Sequence, residues 1–143
     1  MLKPLFLTCA VMVGSATLAG AETIDIQMLN RGVDGAMVFE PSYVLAAPGD
    51  VIHFVSVDRG HNVESIEGLL PDGVAPFKSA MSEDFDLTVE AEGLFGIKCT
   101  PHYALGMVAL IQVGAAVNLD GAAAVTHRGK AATRFEAAFA LVQ

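Results

Sequence analysis

After its first 21 residues, the sequence contains no apolar run that approaches the roughly 18 residues of a membrane-spanning helix. The early apolar stretch, Leu5 to Leu18, is itself too short to cross a bilayer. It follows Lys3 and precedes Ala19-Gly20-Ala21, and a positive start, an apolar centre and a small-x-small site are typical of an export signal. We therefore expect residues 1–21 to be a cleaved signal peptide, with no membrane insertion of residues 22–143.

Cysteine is scarce, and cleavage would make it scarcer. Cys9 lies in the expected signal peptide, so only Cys99 would remain in the mature chain. A single cysteine cannot form an intramolecular disulfide. In an exported protein the remaining thiol must be buried, paired with another chain or bound to a metal ion. Cys99 is therefore the residue whose presence most needs a functional explanation.

Basic residues are also few. The expected mature chain has seven basic and sixteen acidic side chains, a net charge of −9. We therefore expect no nucleic-acid partner, because non-specific binding to phosphates depends on a basic surface. The length of 143 residues is enough for one domain with a substantial core but too little for two domains of ordinary size.

Apolar residues mostly recur with the period of two that is typical of strands. The predicted strands cover residues 23–28, 51–57, 84–90, 95–99 and 107–113. The stretch 51–57 has β-branched residues on one face and Ile52 and Phe54 on the other, which predicts a strand buried on both faces. Turn sequences such as Pro48-Gly49-Asp50 separate the strands, and many short strands with such turns indicate a sandwich or a barrel.

The sequence after Gly114 changes from a strand pattern to a helix pattern. Asn118 could cap an alanine-rich helix that ends near His127, and a second helix is predicted from Ala131 to Leu141. We expect both helices to pack on the sheet.

The most informative segment is a C-x2-H-x4-M sequence formed by Cys99, His102 and Met107, between two predicted strands. A second imidazole, His61, follows an earlier strand. Two imidazoles, a thiolate and a weak axial thioether are the ligands of a type 1 copper site that transfers electrons. The unpaired cysteine of an expected exported protein favours the same interpretation. The sequence therefore predicts one copper ion held by these four side chains.

Two other chemistries use some of these residues. Zinc could bind the cysteine and the histidines, but a thioether offers zinc little, whereas thiolate and thioether ligands favour Cu(I). A nucleophilic Cys99–His102 pair would leave Met107 without a role, and no side chain that could orient the histidine is obvious. We assign neither of the other histidines to the metal. We expect His53 to be a packed or edge residue of a strand, and His127 to lie near the negative end of a helix dipole.

The chain also resembles the pseudoazurin family of small cupredoxins over nearly all of its expected mature length. The resemblance rests on the segments Met28-Leu29-Asn30, Gly35 to Pro41, Pro48-Gly49-Asp50, Gly60 to Ile66, Phe77-Lys78-Ser79 and Lys98 to Tyr103. It implies an all-β Greek-key sandwich of about eight strands with two C-terminal α-helices. It further implies a monomeric periplasmic electron carrier, not an enzyme, that forms transient complexes with nitrite reductase and c-type cytochromes in denitrification.

The resemblance assigns roles to residues around the metal. Asn62 would tie the two ligand loops together, and its backbone N–H would reach the cysteine sulfur. Met37 would lie against the exposed His102, and Pro101 would belong to the surroundings of the copper. The positive ring around the exposed histidine, which docks partners in this family, corresponds to Arg31, Arg59, Lys78 and Lys98.

Two features separate this chain from that pattern: the acidic overall charge and the arginines at two of the four ring positions. An alternative function with the same ligands is storage or delivery of copper in the periplasm. Reversible reduction with little change in the ligands would distinguish an electron carrier from such a protein.

Overall fold

A computed structural model describes residues 20–143 of the protein. The expected signal peptide therefore lies almost entirely outside the described residues. The elements in chain order are β1 (Thr23–Gly32), β2 (Gly35–Glu40), β3 (Tyr43–Ala46), β4 (Asp50–Val55), β5 (Glu64–Ser65), β6 (Phe85–Val89), β7 (Gly93–Lys98), β8 (Val108–Val113), α1 (Leu119–Ala123) and α2 (Lys130–Phe139).

The eight strands form two four-stranded sheets. The first has the order β2-β1-β4-β6 and is called the open sheet below; the second has the order β3-β8-β7-β5 and is called the covered sheet. Strand β1 pairs with β4 in parallel and β3 pairs with β8 in parallel, whereas the other neighbours are antiparallel. The predicted all-β sandwich of about eight strands with two C-terminal helices is confirmed.

The main core lies between the sheets and follows from the period of two. Ile26 on β1 and Phe54 on β4 point inward from the open sheet, while Phe95 and Ile97 on β7 point inward from the covered sheet. The other face of β4 is only half-buried, so the prediction that this strand is buried on both faces is wrong. Its apolar outward residues did not require a covering layer, because β-branched side chains also suit a half-buried strand.

A second core lies on the outer side of the covered sheet, under the helices. Leu94 on β7 and Leu110 on β8 pack there with Phe135 of α2. All six residues of β8 are buried, because one face of the strand contacts the main core and the other contacts the helical layer. The helices therefore pack on the sheet as predicted.

The first helix is shorter than predicted, and Asn118 occupies its N-cap position without capping it through the side chain. The side chain of Asn118 makes no capping hydrogen bond; its Oδ1 accepts from the Leu94 N–H (2.7 Å) and its Nδ2 donates to the Leu94 carbonyl (3.0 Å). The amide thus satisfies backbone groups at the edge of β7, as a neighbouring strand would. None of the helices within residues 20–143 is long and apolar enough to cross a membrane.

Candidate metal centre

The loop from Cys99 to Met107 joins the two central strands of the covered sheet, β7 and β8. Its ends are held together by backbone hydrogen bonds: the Cys99 N–H donates to the Met107 carbonyl (2.9 Å), and the Met107 N–H donates to the His102 carbonyl (3.1 Å). The His102 N–H in turn donates to the Cys99 carbonyl (3.2 Å). The short turn therefore brings three predicted ligands to one end of the sandwich.

His61 reaches the same place from the loop between β4 and β5. Its Nδ1 lies 3.1 Å from the His102 Nδ1 and 3.8 Å from the Cys99 Sγ. The Cys99 Sγ lies 3.4 Å from the His102 Nδ1. Two nitrogens and one sulfur thus form a compact triangle of possible ligand atoms.

The triangle has the size that a metal ion requires. A point equidistant from the three atoms lies about 2 Å from each of them. This is close to zinc–imidazole distances of about 2.0–2.1 Å and somewhat short of zinc–thiolate distances of about 2.3 Å, which indicate the scale of such bonds for a first-row metal ion. Within residues 20–143, these three residues are the only group of histidine, cysteine and carboxylate side chains close enough to share an ion. No carboxylate is thus available here as a fourth ligand for zinc.

Met107 supplies the remaining donor of the predicted set. Its side chain is fully buried in the same core cluster as Cys99. A thioether beside a His2Cys triangle suits Cu(I) and Cu(II) better than zinc, which prefers a fourth nitrogen, thiolate or oxygen ligand. The donor chemistry therefore fits a type 1 copper site, with His61, Cys99, His102 and Met107 as the residues that would hold the ion.

The ring of His61 is oriented by Asn30, at the end of β1. The His61 Nε2 lies 3.0 Å from the Asn30 Oδ1, so a proton on Nε2 would be donated to the amide oxygen and the Nδ1 lone pair would face the triangle. Burial, together with the nearby His102, lowers the pKa of His61 despite the opposing charge of Asp58. The neutral form, which binds metals, is therefore favoured.

Asn62 connects the two ligand loops. Its Oδ1 accepts from the Thr100 N–H (2.8 Å), and its Nδ2 donates to the Thr100 Oγ1 (2.9 Å). Burial raises the pKa of the Cys99 thiol, while the backbone N–H groups of Asn62 and His102 act in the opposite direction. A metal ion would have to displace the thiol proton, and these N–H groups would stabilise the resulting thiolate.

The network continues from Thr100 to the surface. The Thr100 Oγ1 donates to the Glu64 Oε2 (2.5 Å), and the same oxygen lies 3.6 Å from the Lys78 Nζ and 3.9 Å from the Lys98 Nζ. Burial would raise the pKa of Glu64, but the Thr100 hydroxyl and the two lysines together lower it. One carboxylate therefore holds two of the predicted docking lysines near the ligand loops.

The two arginines of the predicted ring are close in sequence to Asn30 and His61. Arg31 follows Asn30 in β1, and Arg59 precedes His61 by two residues. Both are exposed, and a hydrogen bond from the Asn30 N–H to the Asp58 Oδ2 (2.7 Å) holds the two segments together. The four basic residues therefore lie at the same end of the sandwich as the donor triangle.

Met37 and Pro101 differ in their exposure. Met37 is half-buried against the main core and has a positive φ of 53°. Pro101 is exposed between two ligands. The contact of Met37 with His102 and the place of Pro101 in the surroundings of the copper stay predictions.

The remaining histidines lie away from the triangle. The His53 Nδ1 pairs with the Asp86 Oδ1 on the outer face of the open sheet, as a strand residue. His127 is not at the end of a helix, because α1 ends at Ala123; it packs against Phe135 with a ring separation of 4.1 Å, and its Nδ1 lies 2.7 Å from the Tyr103 hydroxyl. Burial lowers its pKa. The expected interaction with a helix dipole is therefore wrong.

Asn30, Thr100 and Glu64 were not singled out from the sequence. The sequence could have indicated Thr100, because this residue lies between two ligands and its hydroxyl can both donate and accept a hydrogen bond. Asn30 and Glu64 have none, because their roles depend on strand register and on contacts between residues more than 30 positions apart.

Comparisons with known proteins agree with this site. The model of the copper binding proteins of the plastocyanin/azurin family matches residues 26–114. A pseudoazurin of Paracoccus pantotrophus is 50% identical over 134 residues, covering 93% of this chain and 92% of that relative. A pseudoazurin of Methylorubrum extorquens is 40% identical over 137 residues, covering 95% of this chain and 93% of that relative.

Solved structures show the same relationship. The crystal structure of pseudoazurin from Methylobacterium extorquens AM1 is 41% identical, with a TM-score of 0.82 over 85% of this chain and 99% of that one. Native pseudoazurin from Hyphomicrobium denitrificans is 40% identical, with a TM-score of 0.81 over 85% of this chain and 98% of that one. With the fold, the donor triangle and the relatives in agreement, the chain belongs to the pseudoazurin family of type 1 copper electron-transfer proteins.

Proposed function

We propose that this protein is a monomeric periplasmic carrier of single electrons, and not an enzyme. Its partners would be redox proteins such as nitrite reductase and c-type cytochromes, which it would meet in transient complexes during denitrification. When bound, a copper ion supplies a Cu(I)/Cu(II) couple, which changes by one electron without a change of ligands.

The observation that carries the proposal is the unequal exposure of the donor residues. Cys99, His61 and Met107 are fully buried, whereas His102 is half-buried at the surface. The Leu105 side chain, three residues along the same loop, is 51% exposed. An imidazole that contacts both the metal position and solvent, beside an apolar side chain, gives electrons a short route to a docked protein.

The side-chain hydrogen bonds of the site favour electron transfer over copper delivery. Asn62 and Asn30 fix the two loops and the His61 ring, so little rearrangement would accompany a change of oxidation state. A storage or delivery protein gains nothing from such a fixed geometry.

The periplasmic location rests on the expected signal peptide at residues 1–21. Expression of the full chain in a Gram-negative host should give a shorter protein that begins at Glu22 in the periplasmic fraction. Mass spectrometry of that fraction measures the cleavage position. A full-length protein retained in the cytoplasm would contradict the location.

The copper function is tested by the visible spectrum and by voltammetry of the copper-loaded protein. The parent should show an intense thiolate-to-copper band and a reversible one-electron wave, because a trigonal His2Cys site changes little on reduction. Cys99→Ser should fold but lose the band, since a hydroxyl cannot replace the thiolate. A colourless parent, or a parent whose reduction releases the copper, would contradict the proposal and favour storage or delivery.

Docking is tested by stopped-flow electron transfer to nitrite reductase as a function of salt. Lys78→Glu with Lys98→Glu should slow the bimolecular step at low salt, because steering by a charged patch gains roughly 10- to 1000-fold in rate. The defect should fade as salt shortens the Debye length. A parent rate that rises with salt would instead show that the acidic bulk of the protein controls encounter.

A further inference from the structure

Arg134 of α2 has an unusual set of partners. Its Nη1 donates to the carbonyl oxygens of Met37 (2.7 Å) and Gly106 (2.6 Å). Its Nη2 donates to the carbonyl oxygens of Asp34 (3.0 Å) and Ala36 (3.1 Å). Four backbone acceptors from two distant segments therefore converge on one guanidinium, and no carboxylate is among them.

One of the two segments belongs to the copper site. Gly106 directly precedes Met107, whose N–H donates to the His102 carbonyl and whose carbonyl accepts from the Cys99 N–H. A shift of the Gly106 carbonyl would thus move the backbone of Met107, one of the residues that would hold copper. The guanidinium holds this carbonyl from outside the loop.

The second segment is the connection between β1 and β2, together with the first residues of β2. Met37 in this segment has a φ of 53°, in the left-handed region, which is uncommon for a residue with a long side chain. Such a conformation persists only where surrounding contacts hold it. The bond from Arg134 to the Met37 carbonyl is such a contact, so the same guanidinium fixes the backbone at both places.

The start of α2 is itself fixed against the ligand loop. The Lys130 N–H donates to the Ala104 carbonyl (3.1 Å). A Cβ added at Gly106, where φ is 93°, would lie 3.0 Å from the Arg134 Cδ, so the loop and the arginine stem are in close contact. Because the helix cannot approach or withdraw freely, Arg134 is held at a defined distance from the loop.

We propose that Arg134 is a positioning residue of the copper site, which fixes the Gly106–Met107 backbone relative to the β1–β2 connection and so positions the Met107 side chain that would bind copper. Arginine carries five N–H donors, and all four hydrogens on the two terminal nitrogens have partners here. The side chain is therefore engaged within the protein and is not a free cation for docking. This inference rests on the copper electron-transfer function proposed above.

The test compares three variants of the full mature chain. Arg134→Met keeps an unbranched apolar stem but removes all donors, whereas Arg134→Lys keeps the charge and can reach only part of the carbonyl set. Lys130→Ala is the matched control, because it removes a charge one turn away on the same helix and keeps its backbone bond to Ala104.

Three measurements separate positioning from a general loss of stability. Hydrogen exchange in the copper-free protein reports the amides of Cys99 and Met107, and Arg134→Met should accelerate both by at least about tenfold, as expected for the loss of charge-assisted hydrogen bonds. In the copper-loaded protein, the visible spectrum and the reduction potential should change in Arg134→Met, change less in Arg134→Lys and match the parent in Lys130→Ala.

Each outcome decides for or against the inference. A lower melting temperature of Arg134→Met with an unchanged spectrum, potential and amide exchange would show that Arg134 only stabilises the fold, and would overturn it. If Arg134→Met does not fold, Arg134→Lys decides by the same three measurements. A parent protein without the thiolate-to-copper band would contradict the copper function itself, while the exchange measurements in the copper-free protein would still test whether Arg134 fixes the loop.

Discussion

The two sheets of the sandwich carry different kinds of residues on their outer faces. The covered sheet packs its outer face on α1 and α2, and β8 is buried along its whole length. The open sheet turns polar residues to solvent, including Asp25 on β1 and Asp86 on β6. The loop with three of the four predicted copper ligands joins the central strands of the covered sheet.

This difference indicates where the molecule needs rigidity. A metal site that changes by one electron gains from a frame that does not move, and a strand packed on both faces is such a frame. The open sheet contributes to the donor triangle mainly through Asn30, at the end of β1, by a single side-chain hydrogen bond. Four predictions break or sharpen this contrast.

The largest effect should come from removing an aromatic ring under the covered sheet. Phe135→Ala should lower the free energy of unfolding by about 3–5 kcal/mol, because the ring is fully buried in the outer core and leaves a cavity. Phe85→Ala, on an edge strand of the open sheet, is the matched variant and should cost about half as much, since its ring is only half-buried. Chemical denaturation of both copper-free variants measures the difference. Equal decreases in the free energy of unfolding would show that the two sheets do not differ in this respect.

The next effect concerns the edge of β7. Asn118→Ala should lower the free energy of unfolding by about 1–3 kcal/mol, because the N–H and carbonyl of the fully buried Leu94 would lose their side-chain partners. Asn118→Asp keeps the acceptor for the N–H and should recover part of the loss. If Asn118 capped α1 instead, Asn118→Ala would lower the helix content. A weaker helical signal in circular dichroism, with an unchanged free energy of unfolding, would therefore contradict the role at β7.

The sequence predicted the regions where local chemistry is decisive. The C-x2-H-x4-M loop between two strands, the period of two and the tail helices all depend on near neighbours, and the structure contains the loop and these elements. The prediction of a helix cap at Asn118 is wrong, because an asparagine amide can bind the backbone of a strand edge as well as that of a helix start. His127 was assigned to a helix end that the chain does not form. The role of Asn30 depends on strand register, and the role of Arg134 depends on backbone carbonyls of distant segments. Neither can be predicted from the residues around it in the sequence.

A smaller effect should come from the contact between the open sheet and the site. Asn30→Ala should weaken copper binding by about tenfold, because the imidazole of His61 loses the acceptor that orients it and increases its donor strength. The reduction potential should rise, since a weaker donor stabilises Cu(II) less. Asn30→Asp restores an acceptor and should return both values toward the parent. Competition titration with a copper chelator and voltammetry check this prediction; unchanged affinity in Asn30→Ala would show that the loop alone orients His61.

The smallest effect should be confined to the exposed face of the open sheet and should depend on pH. His53 lies between Asp25 and Asp86 across three paired strands, and its Nδ1 is 2.5 Å from the Asp86 Oδ1. The hydrogen bond that the His53 ring donates to the Asp86 carboxylate raises the pKa of His53. Partial desolvation opposes this effect, and the charges of Asp86, Asp25 and Asp84 add to the increase. The folded state therefore binds the His53 proton more tightly than the unfolded chain does.

The sign of the pH dependence follows from this difference. The stabilisation should be fully present below the ordinary histidine pKa of about 6.5 and should disappear as pH rises through the higher pKa of the folded state. The melting temperature of the parent should exceed that of His53→Gln most at about pH 5.5, and the two should converge above the folded pKa. Asp86→Asn should reduce the same difference, because it removes the nearest carboxylate. The parent and the variant differ only at position 53, so comparing them isolates the contribution of His53. If the difference in melting temperature between parent and variant increased with rising pH, burial and not the carboxylates would determine the pKa of His53.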